Sequence, residues 1–539
     1  MRVCPAVLSF CLCLSLCACQ SQAAQAASSP PVPSAALEAA TPPPTQTPAP
    51  ITGASWAVSA LETLEARTLW LPDAARDAAA GVDGSDFSRL CAIISGMPQA
   101  EFDALAVAGP LDRKTAAVTA THAVMGRRLR LLDLSDRESV PESAREGVET
   151  AYRYGLMSGV DGAFLPERTL TWGEAAALLN RLADLPERTP APSAEVNFAG
   201  FAAGESLLSE GQKQALRDYF DLHHAAMAGL TPTDMAPVFA SEAGRAVELE
   251  NTILSCFITE RRYSPIDLTM SAYSYALSVL GVSKQSDGGV RVYLGEYGAM
   301  AFRGTGGALS EEPLVHHTFF LVPVGGGWKV RVHSRDDSGF TRFEDTADRP
   351  AEGRAYLAEA RENLLLRESQ GGGLDTAKSC DHPLDRAAAV SYANAHADTR
   401  NPNYADYTSR GGNCQNYVSQ CLAAGGAQLD NSGDQQWNTG AASWISVSNF
   451  RRYLQNNTGA GLVARLDAPY DTGEPGDVIQ MGFVNTGKHA MLVTGLITDE
   501  TGATVDYYIC SNTCNWRNMP MSAHWYTDQT LIKVYGWND

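Results

Sequence analysis

The sequence predicts a multidomain chain: an all-α region, then an α+β middle domain, then a separate α+β C-terminal domain. Three observations predict it. The chain has 539 residues, enough for roughly 3 to 4 domains at about 150 residues each. Apolar residues recur at helical spacing through residues 53–187, whereas 188–372 reads as helices followed by alternating stretches. Composition then changes abruptly near residue 375, just after Gly371-Gly372-Gly373. The first 375 residues contain four Asn and the last 164 contain fifteen. The formal charge is −20, and no basic run exceeds Arg127-Arg128-Leu129-Arg130, which excludes a nucleic-acid partner.

The first element is an address. Met1 and Arg2 precede a short apolar core that ends at Leu16-Cys17-Ala18-Cys19, the layout of a secretory leader over residues 1–19 and too short to span a bilayer. Leu16–Cys19 resembles a bacterial lipobox. The resemblance implies cleavage before Cys19 and diacylation of its thiol, hence a membrane partner through a lipid anchor on the outer face of the cytoplasmic membrane. Ordinary secretion with cleavage near Ala27 is the alternative. Residues 20–52 are rich in Pro, Ala, Ser and Thr and read as a semi-extended tether.

Residues 53–187 carry the helical pattern. The clearest unit runs from a helix over Ala144–Tyr152, through Gly155–Gly159 and Gly162–Pro166, to a helix over Ala175–Leu182. Thr171 and Glu174 have capping-box spacing. With Leu134-Ser135-Asp136 as its opening and Leu170–Glu174 as its helix start, this unit resembles a surface-layer homology (SLH) repeat. Residues 53–100 and Leu111–Leu129 read as weaker copies. The resemblance implies binding of cell-wall polymer, although Trp172 stands where that motif has its polymer-binding arginine.

In residues 188–372, Glu210–Met227 and Ala243–Ile258 read as helices. Val290–Leu294, Ala299–Arg303, Thr318–Val324 and Trp328–His333 read as strands. Helices followed by a meander suggest an α+β cone of the type seen in SnoaL-like domains. His316 and His317 flank a strand start, either as a polar edge or as metal ligands. Cys256, in an apolar helical pattern, reads as core.

Chemistry concentrates in residues 376–539. Cys414, Tyr417, Val418, Cys421 and Leu422 fall at i, i+3, i+4, i+7 and i+8, one helix face, with Asn413 as N-cap and Gly425 as stop. Cys414 therefore sits on the first turn, where the helix dipole favours a thiolate. His489 opens an apolar strand, and Val505–Asn512 reads as the next one. A hairpin centred between Glu500 and Thr501 sets His489 opposite Asn512, so that the amide would orient the imidazole that takes the thiol proton. Asp477 reads as a turn residue. Trp437 and Trp444 read either as groove or as packing. Cys510 and Cys514 could pair with Cys380 or Cys421, or form half a zinc site. No matching second cysteine pair is visible, so neither metal nor cofactor is expected.

Asn413-Cys414-Gln415-Asn416-Tyr417-Val418-Ser419-Gln420-Cys421-Leu422 resembles the nucleophile motif of the bacterial amidase family Amidase_6. Asp385–Val390, Asn401–Tyr404, Gly476–Gln480 and His489–Gly495 agree with it over roughly 383–537. Asn413 departs from the usual Asp, and Ser511-Asn512-Thr513 from a more usual Tyr-His-Thr. That family is similar to the papain-like NlpC and CHAP hydrolases. The resemblance implies a papain-like fold and a cysteine-dependent amide hydrolase with Cys414 as nucleophile, His489 as base and Asn512 as the third residue. Peptidoglycan peptide is the expected substrate. The alternative is a catalytically inactive cell-wall-binding lipoprotein.

Overall fold

The computed structural model describes residues 49–124, 134–185, 194–336, 338–344, 346–369, 378–432, 436–482, 488–499, 502–513, 515–523 and 528–539. The leader, Cys19, most of the tether, the glycines at 371–373, Cys514 and His524 lie outside the described residues. Among the described residues no helix is long and apolar enough to cross a membrane.

Among its described residues the N-terminal part has six α-helices: α1 (Ser55–Thr68), α2 (Gly84–Ser95), α3 (Gln99–Asp103), α4 (Arg113–His122), α5 (Glu142–Arg153) and α6 (Trp172–Asp184). They enclose one core centred on Leu61, Phe87, Phe102, Val148 and Leu179. Three of them start from capped ends. Asp83 accepts from Ser85 N–H, Asp112 from Thr115 N–H, and Thr171 forms the expected capping box with Glu174. Backbone bridges Gly81–Thr171, Asp83–Pro110 and Asp112–Thr169 tie these caps together. The residue after the cap faces inward in two of them. Trp172 is fully buried, and Arg113 is buried with its guanidinium on the carbonyls of Phe164 and Ser158, each at 2.7 Å.

The rest of the described chain is organised on one mixed sheet of twelve strands. Its first five strands are β1 (Glu195–Ala203), β2 (Met270–Lys284), β3 (Val290–Phe302), β4 (Leu309–Val324) and β5 (Gly327–Arg335). Strand β1 runs parallel to β2, and the others pair antiparallel in sequence order. Helices α7 (Glu210–Gly229) and α8 (Gly244–Arg262) pack on these strands, and α9 (Ser338–Glu344) and α10 (Arg349–Ser369) follow. Three features depart from the sequence expectation. Strands β1 and β2 were not expected, and the two short stretches at 290–294 and 299–303 are one continuous strand.

The C-terminal part contributes β6 (His382–Pro383), β7 (Gly461–Ala468), β8 (Val478–Met481), β9 (His489–Thr498), β10 (Thr504–Ser511), β11 (Trp516–Pro520) and β12 (Gln529–Asn538). Its helices are α11 (Arg386–His396), α12 (Cys414–Ala424), α13 (Ala442–Ile445) and α14 (Val447–Asn456). The composition break near 375 does not separate two independent sheets. Strand β11 pairs with β4 at Arg517–Glu311, making the strand order β1-β2-β3-β4-β11-β10-β9-β8-β12-β6. One hydrophobic core runs across the join, taking in Leu277, Phe319 and Leu321 from one side and Ile479, Met491 and Ile509 from the other. Arg517 pairs across the join with Glu311 at 2.6 Å and, within the C-terminal part, with Asp398 at 2.5 Å.

Candidate functional site

Helix α12 begins at Cys414, as its spacing predicts, and ends at Gly425. It is not amphipathic: every residue from Cys414 to Leu422 is buried. Polar side chains on the remaining faces are therefore matched one by one, as buried polar groups must be. Trp444 donates Nε1–H to Asn416 Oδ1 at 2.8 Å, and Trp437 donates to Ser419 Oγ at 3.3 Å. Both tryptophans are fully buried, so of the two readings open in the sequence they are packing and not groove. Gln480 reaches Val447 O at 3.2 Å and lies 3.5 Å from Gln415 Oε1. Sequence alone missed this belt because its members lie far apart in the chain.

Asn413 precedes the helix but does not cap it with its side chain. Its Oδ1 accepts from Tyr407 N–H and Asn416 Nδ2, and its Nδ2 donates to Asn512 Oδ1 at 2.8 Å. No side chain closes the helix end, so the first-turn N–H groups are left uncapped by Asn413. The backbone N–H groups of Ala490, Gln415 and Cys414 itself favour the charged form of the thiol. Cys414 is 8% exposed. Burial raises its pKa and the N–H groups oppose that rise only in part. This corrects the sequence expectation of a resting thiolate: desolvation outweighs the helix dipole.

His489 heads β9, next to Ala490. It is 6% exposed, and its Nε2 is buried without a hydrogen-bond partner. Burial pushes its pKa down to about 4. Its ring lies edge-on to Trp516, centroids 5.9 Å apart. Strand alternation sets it with Met491 and Val493, in the core shared with the middle domain, whereas Ala490 and Leu492 pack in the core of α12. Among the described residues no hydrogen bond joins Cys414 to His489. Burial favours the uncharged form of both the thiol and the imidazole.

Asn512 is not where the hairpin arithmetic sets it. A register shift between Tyr508 and Ile509 leaves Ile509 opposite Val493 and Cys510 opposite Leu492. Continuing that register brings Asn512 beside Ala490, and a one-residue slip reverses the face. Its amide is used elsewhere, donating to His396 O at 3.0 Å and Ala397 O at 3.1 Å while accepting from Asn413. The expected orienting bond to His489 is therefore not made, and Asn512 instead holds the residue before Cys414. A small polar pocket of about 10 Å³, room for about one water, lies beside these groups, lined by Asn401, Tyr404, Asp406, Asn413, Gln420 and Asn512 among others.

Asp477 is a structural residue. It is buried, accepts from Arg386, Val534 N–H and Glu474 N–H, and burial pushes its pKa up to about 6. The described cysteines of the folded parts, Cys91, Cys256, Cys380, Cys414, Cys421 and Cys510, are all free thiols. Cys256 is buried as core. Among the described residues no group of three or more His, Cys, Asp or Glu is arranged to hold a metal ion.

Residues 383–535 match the family Amidase_6, described as "Putative amidase domain". A curated relative, "Uncharacterized protein YhbB" of Bacillus subtilis (strain 168), is 36% identical over 110 residues, which is 19% of this chain and 34% of that protein. The chain thus spans about a third of the length of this relative. No solved structure matches. The C-terminal part of the chain accordingly carries an amidase-type hydrolase domain.

Proposed function

We propose that the protein is a cell-surface cysteine amidase that cleaves amide bonds in peptidoglycan peptides. The observation that carries the reading is Cys414 on the first turn of α12, where backbone N–H groups, that of Ala490 next to His489 among them, favour the charged form of its thiol. Substrate binding would turn the imidazole toward the thiol, since catalytic hydrogen bonds often tighten only in the complex. Sγ then attacks the carbonyl carbon as the thiol proton passes to His489. The N–H groups at the α12 start hold the oxyanion. The C–N bond breaks as His489 protonates the leaving amine, leaving a thioester on Cys414. Water adds with His489 as base, releasing a carboxylic acid and restoring the thiol. Asn512 acts by fixing Asn413, the residue before the nucleophile.

Support for the location comes from the leader, Cys19 and the Pro-rich tether, which read as a lipid anchor, and from the helical hairpins, which read as the wall-attachment part. A second reading, an inactive wall-binding lipoprotein, is favoured by one observation: the buried thiol and imidazole share no hydrogen bond. The test is digestion of purified peptidoglycan by the chain from residue 20, with new amino termini counted and fragments identified by mass spectrometry. Activity lost at least 1,000-fold in Cys414→Ser and His489→Ala supports the amidase. Digestion that persists in Cys414→Ser refutes the cysteine mechanism, and wall binding without any cleavage establishes the second reading.

A further inference from the structure

A catalytic base is oriented by a third group, and Asn512 does not orient His489. The ring beside His489 belongs to Trp516, the first residue of β11. The two rings stand edge-on, with centroids 5.9 Å apart and planes at 81°. In such a pair the positive edge of one ring meets the negative face of the other. Among the described residues this is the one ring contact that His489 makes. Trp516 is itself buried and belongs to the core that runs across the join.

Trp516 is held from the far side of that join. Its Nε1–H donates to Glu312 Oε1 of β4 at 3.4 Å. Two further links run beside this one. Glu311 pairs with Arg517 at 2.6 Å, and Ser310 donates Oγ–H to Asn518 O at 2.7 Å. Three consecutive residues of β4 thus meet three consecutive residues of β11 in antiparallel order.

Strand β4 is shaped for this grip. Its edge away from β3 pairs with β5 over residues 317–324 and passes to β11 at Glu311. Between these two partners stands Leu314, an extra residue in the pairing with β3. Its φ is 66°, a left-handed conformation that leucine adopts only at a cost. Bulges of this kind bend a strand and re-aim its side chains, often next to an active site. Glu312 lies two residues before the bulge, with Arg335 Nη2 3.6 Å from the same oxygen that Trp516 meets.

We propose that Trp516 is a positioning residue for His489 and that Glu312 of the middle domain holds it in place, so that the middle domain completes the amidase site. The proposal rests on the reading of His489 as catalytic base and adds the residues that orient its ring. An indole tied to a carboxylate restricts the planes that the imidazole can take and keeps water from it. A base held in this way moves its proton from one geometry.

The test uses the chain from residue 20 with isotope-labelled histidine, the His489 ring signals being assigned by their loss in His489→Gln. Trp516→Leu keeps apolar bulk and removes the indole. Its His489 pKa should rise from about 4 by a unit or more, and cleavage of peptidoglycan peptide should lose at least tenfold in kcat with KM kept within threefold. Trp516→Phe and Glu312→Ala break one hydrogen bond from its two ends. Each should move the His489 signals and lower kcat at least threefold, and the double variant should go no further than either alone. Glu312→Gln keeps an acceptor oxygen and should return the signals to their wild-type positions and kcat to within twofold. A folded Trp516→Leu with an unchanged His489 pKa overturns the proposal. If that variant fails to fold, the Trp516→Phe and Glu312→Ala cycle decides alone. Additive losses in the double variant, or wild-type His489 signals in Glu312→Ala, overturn the role of the middle domain. The resonance readouts need no cleavage. A wild type that cleaves nothing refutes the amidase reading, whereas a His489 pKa raised in Trp516→Leu still establishes the hold of Trp516 on the imidazole.

Discussion

Replacing Asn512 by Ala separates two roles for this residue. The side chain accepts one hydrogen bond, from Asn413, and donates two, to the carbonyls of His396 and Ala397. Its removal leaves Asn413 Nδ2 buried without an acceptor and returns two carbonyls at the end of α11 to whatever water can reach them. An orphaned buried donor costs about 1–3 kcal/mol, and the two carbonyls add a fraction of that. A loss of about 2–4 kcal/mol follows. With a urea m value of about 2–3 kcal/mol per M, the unfolding midpoint of the C-terminal part falls by about 1 M, read from tryptophan fluorescence. The same substitution leaves the His489 pKa near its depressed value of about 4, because that depression comes from burial alone. Proton NMR of the imidazole measures it. A His489 pKa moved by a unit or more, in a protein of unchanged midpoint, would refute the positioning role and restore the orienting one.

Two further predictions concern pH and packing. His489 has a folded pKa of about 4 against an unfolded value of about 6.5. The unfolded state therefore binds more protons between these values, and stability falls as pH drops from about 6.5 to about 4. The total is about 3 kcal/mol, and His489→Gln should flatten that slope in urea titrations taken at each pH. For the same reason kcat/KM should hold from about pH 5 upward and fail only below it. An acid limb near pH 6.5 would contradict the burial of His489. Trp444→Phe keeps the apolar bulk but orphans Asn416 Oδ1. It should lower stability by about 2–4 kcal/mol through the lost bond and the residual cavity, and a thermal melt shifted by no more than a degree would count against the belt around α12.

Parts of this molecule can be read locally and parts cannot. Cys414 at a helix start follows from five apolar positions at helical spacing between Asn413 and Gly425. His489 at a strand start follows from the run that it opens. The Thr171–Glu174 capping box is legible for the same reason, since three residues decide it. Asn512 misled because the arithmetic centred the hairpin between Glu500 and Thr501, whereas the ladder opens one place off that register with Thr504 opposite Thr498, and its two later shifts cancel. Strand β1 escaped notice because its residues do not alternate cleanly: its own register shifts at Gly200 and again before Ala203. The union of the two sheets rests on Arg517 and Glu311, about two hundred residues apart, and no local pattern announces such a pairing. A buried chain of His and Glu in the middle domain is equally silent. His224, Glu250, Glu296, His317 and His333 come one each from α7, α8, β3, β4 and β5, and they converge only once those elements pack.

The central claim is a thioester on Cys414, and trapping it tests that claim most directly. A peptidoglycan-derived peptide would be mixed with excess protein, quenched in acid within the first turnover and mapped by mass spectrometry. The account predicts an acyl adduct on Cys414 alone among the described thiols, absent in Cys414→Ser and lost or greatly slowed in His489→Ala. Amide cleavage that proceeds without any adduct, and equally well in Cys414→Ser, would contradict it.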